Sequence, residues 1–418
     1  MRGLLEVFSL ELKALVRSRT LAFLLVASVG WMLVFPVLVR GDGTPDGVRE
    51  LYVHYSLGGV FALLLISLLA SATGSLARER VARRLQLTMV RPVRCFFVVL
   101  GKLLAHVVIG ALVLALACLV LLCKVDGARP CSHVLSPVMP SPREEAKAMY
   151  ADYMRDPQTP DVVRKAKPSV VLRLLENRAA DHYQTIATNE TAIWTFRLPA
   201  SLAPATPLGI RLRFTNQYEM RQDVRGVFTS GGYRGVVSNI TQAVVTVPFA
   251  GEGLPESRLE FANRGKDVLM LRPRKDINLL IPADGFRGNL LRAYVELLAI
   301  LALVVAFGLF LSAGLGRPVA LFVAFVTLIV GEMSPSVVEE YPDELETKAI
   351  DRIGLIITRA AAEVTRPVSA VSPLEALAKD ECVEARKAAR LVATDALALP
   401  LALALLAALV LPHKQDVV

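Results

Sequence analysis

The sequence is poor in residues that do chemistry. Five cysteines, at positions 95, 118, 123, 131 and 382 of 418, show neither the paired spacing of a zinc site nor the density of a disulfide scaffold. Cys131 and Cys382 fall on the same side of the topology derived below, which permits a bridge without indicating one. His133 and His182 are the only histidines of the polar middle region. No carboxylate pair, nucleophile elbow or metal-ligand spacing accompanies them, so a membrane-bound enzyme is the least favoured class. The phosphate-cradling pattern G-x-x-x-x-G-K-[ST] is missing too: Gly101-Lys102 is followed by Leu103, and position 96 holds Phe96 instead of glycine. Nothing in the chain is expected to hydrolyse ATP. The acidic run Glu339, Glu340, Asp343, Glu344 and Glu346 lacks calcium-loop spacing and reads as a solvated face.

What the sequence does have is apolar length. Hydrophobic residues make up 54% of the chain and mean hydropathy is +0.49, with a formal charge of +9. These residues are gathered into blocks at both ends, around a polar middle of roughly 160 residues with no run long enough to cross a bilayer. Six segments reach spanning length: Thr20 to Val39, Leu57 to Ala77, Phe96 to Cys123, Tyr294 to Leu315, Pro318 to Val338, and Leu391 to Pro412. Arg78, Arg80, Arg83, Arg84, Arg91 and Arg94 crowd the loop after the second span, and Lys13, Arg17 and Arg19 precede the first, which assigns both places to the cytoplasm. Both termini are then cytoplasmic, while 124–290 and 339–390 face outward. The first apolar run is too long, and starts too late, for a cleavable signal peptide.

Ahead of the first span, Leu4, Leu5, Phe8, Leu12, Leu15 and Val16 recur at helical spacing, with Glu6, Glu11, Lys13 and Arg17 on other faces. Residues 1–19 therefore read as an amphipathic helix on the inner membrane surface, or as an extension of the first span. In the middle, alternating runs such as 193–198, 210–214, 243–247, 259–261 and 268–271, separated by turn signals, predict an inserted, mostly β domain over 124–290, arranged as a β-sandwich. The stretch 142–176, interrupted by Pro157, Pro160 and Pro168, predicts short helices leading into it. The triplets at Asn189 and Asn239 match the glycosylation acceptor pattern, which matters only in a secretory eukaryotic setting. In the outer segment 339–390, Ser372-Pro373-Leu374-Glu375 starts a helix that runs toward the last span, which with a short cytoplasmic tail makes up 391–418.

The inner loop is the most informative stretch. Val81, Leu85 and Met89 lie four apart among arginines, a proline stop follows at Pro92, and Gly101-Lys102 opens the third span. Charge retention inside the cell explains the arginines but not the apolar stripe. With these features the chain resembles a permease of the ABC-2 exporter family, in which an acidic residue begins this loop, an amphipathic segment leads to a proline-basic turn, and a glycine-lysine pair lies just inside the third span. Glu79, the segment from Val81 to Val90, Arg91-Pro92-Val93-Arg94 and Gly101-Lys102 hold those places. Arg83-Arg84 and Gln86 stand where the family often has glycine and a second acidic residue. The resemblance covers the membrane part, including Gly314-Leu315-Gly316-Arg317-Pro318 before the fifth span, and does not extend to the middle domain.

The resemblance implies a six-helix transmembrane bundle of ABC-2 exporter type in a bacterial inner membrane. It makes 78–94 a coupling helix seated on a separate ATPase subunit, with Glu79, Arg80, Val81, Arg84, Leu85, Met89, Arg91, Pro92, Arg94 and Lys102 as coupling residues. ATP and magnesium then belong to that partner, this chain needs no cofactor or metal, and a second permease copy or a related permease completes the assembly. Polar residues within spans, His106, Glu296, Glu332 and Asp395, are the candidates for a substrate path. For His106 an interhelical hydrogen bond is favoured over substrate binding, and for the three acids solvation near the outer interface. Two other readings stay open: a mechanical subunit that moves an envelope partner through its outer domain, and a membrane-anchored binding or sensor protein. Nucleic acid is not an expected partner.

Overall fold

The computed structural model describes residues 2–38, 51–82, 94–125, 130–157, 159, 161–164, 168–180, 184–199, 207–212, 225–230, 233–237, 245–250, 256–266, 268–340 and 373–413. The protein is mostly helical, with small antiparallel sheets. It forms two compact units, Met1–Cys131 with Asp284–Val418, and Ser132–Ala283.

The first unit begins with α1 (Arg2–Val16) and α2 (Arg19–Leu38). The turn at Arg17 and Ser18 breaks the chain between them, so α1 is a helix in its own right and not an extension of the next one. A π-helical stretch, Leu51–Leu57, leads into α3 (Gly58–Val81), and α4 (Cys95–Lys124) follows.

In the second unit, β1 (Pro130–Leu135) precedes α5 (Pro142–Arg155), α6 (Asp161–Arg164) and α7 (Pro168–Ala180). Ser141 and Glu144 close a reciprocal capping box at the start of α5, and Pro168 occupies the first turn of α7, where its missing N–H costs nothing. The strands are β2 (Gln184–Ile186), β3 (Thr191–Arg197), β4 (Pro207–Leu212), β5 (Gly226–Ser230), β6 (Tyr233–Val237), β7 (Val245–Ala250), β8 (Glu256–Asn263), β9 (Leu269–Leu271) and, after the single turn α8 (Pro273–Asp276), β10 (Ile277–Gly285). They make sheets of order β1-β10-β4-β7 and β3-β8-β5-β6, with β2 and β9 as a separate pair. Burial alternates strictly along β3, placing Ala192, Trp194 and Phe196 inward. These join Phe228, Phe261, Ile210, Ile277 and Leu279 in one apolar cluster drawn from both larger sheets. The runs 193–198, 259–261 and 268–271 fall on β3, β8 and β9 to within a residue, while 210–214 and 243–247 overlap β4 and β7, with 213–214 and 243–244 outside the described residues.

The chain then returns to the first unit with α9 (Phe286–Gly314), α10 (Arg317–Glu340), α11 (Pro373–Ala378), α12 (Ala385–Leu391), a π-helical stretch Val392–Ala398, and α13 (Leu399–His413). Among the described residues four helical stretches are long and apolar enough to cross a membrane: Leu51–Val81, Cys95–Lys124, Phe286–Gly314 and Ala388–Leu411. The first and fifth expected spans are also helices, with apolar stretches of Ala22–Phe35 and Arg317–Ile329 among the described residues.

Burial shows which helix is central. Residues 299–306 of α9 are buried without a break, so every face of that stretch is covered by protein. By contrast α4 exposes Leu112, Leu116 and Leu119, spaced four and three apart, and α2 exposes Phe23, Val26, Leu33 and Val34. Such apolar outer faces suit hydrocarbon and not water. Helices α3, α4 and α9 approach closely at Gly110, where a Cβ would stand 2.8 Å from Leu301 Cδ2 and 2.9 Å from Leu68 Cδ1. At the other end of α9, Asn289 donates through Nδ2 to the Glu381 carbonyl (2.8 Å) and accepts from the Val383 amide at Oδ1 (2.7 Å), binding the segment ahead of α12 to the first turn of α9.

Candidate functional site

The polar centre of the membrane unit lies where α1, α3 and α4 meet. Gly101 sets the separation: a Cβ at that position would lie 3.0 Å from Val7 Cγ1 and 3.1 Å from the Phe8 backbone nitrogen, so only glycine lets α1 lie this close along α4. One residue further, Lys102 turns its ammonium into the junction with its side chain 3% exposed. Its three N–H groups are all used. Nζ donates to Glu11 Oε2 (2.7 Å), to Glu79 Oε1 (2.8 Å) and to Ser75 Oγ (3.0 Å), while the Ser75 hydroxyl donates to Glu11 Oε1 (2.8 Å). One cation thus joins an acid from α1, an acid from the last turn of α3, and a serine one turn before it.

Burial favours the neutral form of the Glu11 carboxyl, but the Lys102 ammonium outweighs it by charge and by hydrogen bond, and Ser75 adds another bond; Glu11 is held below the usual 4.5. A folded-state value below the unfolded one means the carboxylate contributes stability that is complete above about pH 4.5 and is lost as pH falls through the lower folded value. The melting temperature of the detergent-solubilised protein is therefore expected to be flat from about pH 7 to 5 and to fall below about pH 4.5, with Glu11→Gln removing part of that fall.

The polar line continues inward from Lys102. His106, fully buried one turn along α4, has Nδ1 2.8 Å from the Lys102 carbonyl and Nε2 3.1 Å from Ser71 Oγ of α3, the interhelical bond favoured above. These contacts leave neither ring nitrogen free for a ligand. The adjoining arginines are occupied as well. Arg80 donates from Nη1 to the Ala313 carbonyl and from Nη2 to the Leu315 carbonyl, both at 2.7 Å, so its guanidinium caps the C-terminus of α9 and meets the negative end of that helix. Arg78 donates to the Gly74 carbonyl (2.9 Å), and the Arg317 side chain lies over the same glycine.

The remaining sequence candidates divide clearly. Val81 is the last residue of α3 and is 84% exposed, and Arg94 stands exposed immediately before α4. Arg84, Leu85, Met89, Arg91 and Pro92 lie outside the described residues. Lys102, expected among the coupling residues, is enclosed in the junction, and Arg80, expected in the same set, lies in the last turn of α3 and caps α9. Glu296 is 6% exposed in α9, so it is enclosed by protein and is not a solvated interface acid. Glu332 belongs to α10 and Asp395 to the π-helical stretch, elements other than the three that form the Lys102 junction. Cys131 carries a free thiol, so it forms no bridge to Cys382. Among the described residues no group of three or more histidine, cysteine or acidic side chains could hold a metal.

Sequence reasoning missed Glu11 and Ser75. Glu11 carried a signal, because Leu4, Phe8, Glu11 and Leu15 form one stripe at spacings of four, three and four, and the acid sits in the middle of it. That stripe faces α4, while Leu5 and Val16, expected on the same apolar face, are 64% and 59% exposed.

Membrane-length helices with apolar outer faces make this a membrane protein by architecture. No protein-family profile, characterised protein or solved structure matches the chain.

Proposed function

We propose that the protein is the permease subunit of an ATP-binding cassette exporter of ABC-2 type. It spans the cytoplasmic membrane of a bacterium six times, with α2 and α10 completing the four longer helices, both termini inside and the Ser132–Ala283 unit outside. A separate subunit hydrolyses MgATP, two permeases pair, and the loop from Glu79 to Arg94 receives the ATPase.

The observation that carries this reading is the junction at Lys102. The acidic residue at the start of the loop and the lysine at the start of the third span, which the family resemblance singles out independently, are in direct contact at 2.8 Å. That lysine also holds Glu11, so a displacement of the loop would be felt at once by α1 and α4. Arg80, the next residue, carries the same displacement to the end of α9. Enclosed Lys102 then acts as a positioning residue behind the loop, and exposed Val81 belongs to the contact surface.

The test is co-purification. Detergent-solubilised wild-type protein should recover an ATPase subunit, and a Val81→Asp/Leu85→Asp variant of equal thermal stability should lose it. The independent core of the Ser132–Ala283 unit favours a second reading, in which ATP-driven motion acts on an envelope partner without substrate crossing. Hydrolysis that depends on adding such a partner would favour it.

A further inference from the structure

We propose that a crevice between α2 and α4 binds a membrane-dissolved, largely apolar molecule carrying one hydrogen-bonding group, with Ser28 as its polar anchor. The cavity measures about 130 Å³, and Leu25, Ser28 and Met32 of α2 face Val113, Ala117 and Val120 of α4 across it. That is close to the roughly 150 Å³ at which an apolar cavity admits a benzene ring.

Ser28 is 5% exposed, and among the described residues its Oγ has no hydrogen-bond partner. A hydroxyl on a membrane helix ordinarily bonds back to the carbonyl three or four residues earlier. Other hydroxyls of this unit do so: Thr73 to Leu69 (2.9 Å), Thr327 to Val323 (2.8 Å) and Ser312 to Leu309 (2.8 Å). Ser28 instead lines the cavity, and leaving a hydroxyl unbonded in apolar surroundings is unfavourable.

Two ordinary occupants fail to relieve it. A water needs two to four polar partners, and among the described residues Ser28 is the one polar side chain on this wall. Ser28 also stands in the middle of α2, at the depth of lipid methylenes, which neither donate nor accept. A compact molecule with a phenol, alcohol or carbonyl group satisfies both the hydroxyl and the apolar walls. This inference rests on the proposed placement of α2 in the membrane and not on the exporter activity.

Trp31 neighbours Met32 in the chain, and the protein has only one other tryptophan. A Trp194→Phe background leaves Trp31 as the sole reporter while retaining a ring against Phe261. Quenching of Trp31 by 4-bromophenol in detergent is expected to saturate, with bromobenzene binding about five-fold more weakly. Ser28→Ala should abolish that preference, and Ala117→Leu, which fills the cavity, should abolish saturation for both probes in a protein of unchanged circular dichroism. Quenching that rises linearly and equally with both probes in every variant would overturn the proposal. So would saturable binding that ignores Ser28→Ala, because the anchor would then be wrong.

Discussion

Lys102→Met is expected to destabilise the membrane unit more than any other single change at the α1–α3–α4 junction. Removing one partner of a buried ion pair typically costs about 3–5 kcal/mol, because the charge left behind is neither solvated nor paired. Here two carboxylates lose their shared cation at once. Glu79 is 33% exposed and can recover some hydration, which places the expected loss toward about 3 kcal/mol, whereas Glu11, 14% exposed, cannot. Unfolding in mild detergent, followed by circular dichroism, measures the loss.

Two accompanying results separate this account from a simple packing defect. Neutralising both acids as well, in Lys102→Met/Glu11→Gln/Glu79→Gln, should recover most of the loss, since no uncompensated charge remains. The pH dependence of the single variant should also reverse. With its cation gone, burial pushes the Glu11 carboxyl above its usual value; the variant then gains stability as pH falls from about 7 toward 4.5, where the wild type is flat. A Lys102→Met protein with wild-type stability and a flat profile over that range would mean that the ammonium does not hold Glu11.

The second large effect is expected at Gly101. Gly101→Ala would already require Val7 and the Phe8 backbone to yield by a few tenths of an ångström, and the backbone has little freedom to do so. Gly101→Leu leaves no room for α1 against α4 and moves Glu11 away from Lys102. Overpacking of this kind costs about 1–3 kcal/mol in itself, and loss of the Lys102–Glu11 contact adds to it. The readout is local: amide hydrogen exchange over residues 2–16 should accelerate by about ten-fold or more, while residues 299–306 of the central helix stay protected. Equal exchange in Gly101→Leu and wild type would show that α1 does not depend on this close approach.

Much of the architecture was legible in the sequence because hydrocarbon enforces it. The apolar blocks Leu57 to Ala77, Phe96 to Cys123, Tyr294 to Leu315 and Leu391 to Pro412 fall within the four long helical stretches, to within a residue or so at their ends. Strands β3 and β8 followed from strict alternation, a consequence of one buried face. The β5–β6 hairpin did not, because the short strands Gly226–Ser230 and Tyr233–Val237 carry glycine and arginine where an apolar residue would complete the pattern.

The candidate site was legible by residue type more than by partner. Glu79 and Lys102 stood out through the resemblance, but nothing in a linear pattern says that Glu11, 91 residues before Lys102, shares its ammonium. That contact depends on the packing of α1 over Gly101. The capping of α9 by Arg80 was not legible, because a cation in a basic stretch looks like any other until the carbonyls of Ala313 and Leu315 are found in front of it. Glu296 was misread for the converse reason: position along a helix suggests depth, whereas burial is decided by neighbours on other helices.

The central claim, that an ATPase works through the loop beginning at Glu79, is tested most directly by assaying MgATP hydrolysis in the complex purified from its native membrane. Wild-type preparations are expected to hydrolyse ATP, with at least a ten-fold loss in Val81→Asp/Leu85→Asp at unchanged permease stability, as truncation of a docking anchor produces. A folded wild-type protein that brings down no nucleotide-hydrolysing subunit in any of several mild detergents would contradict the account.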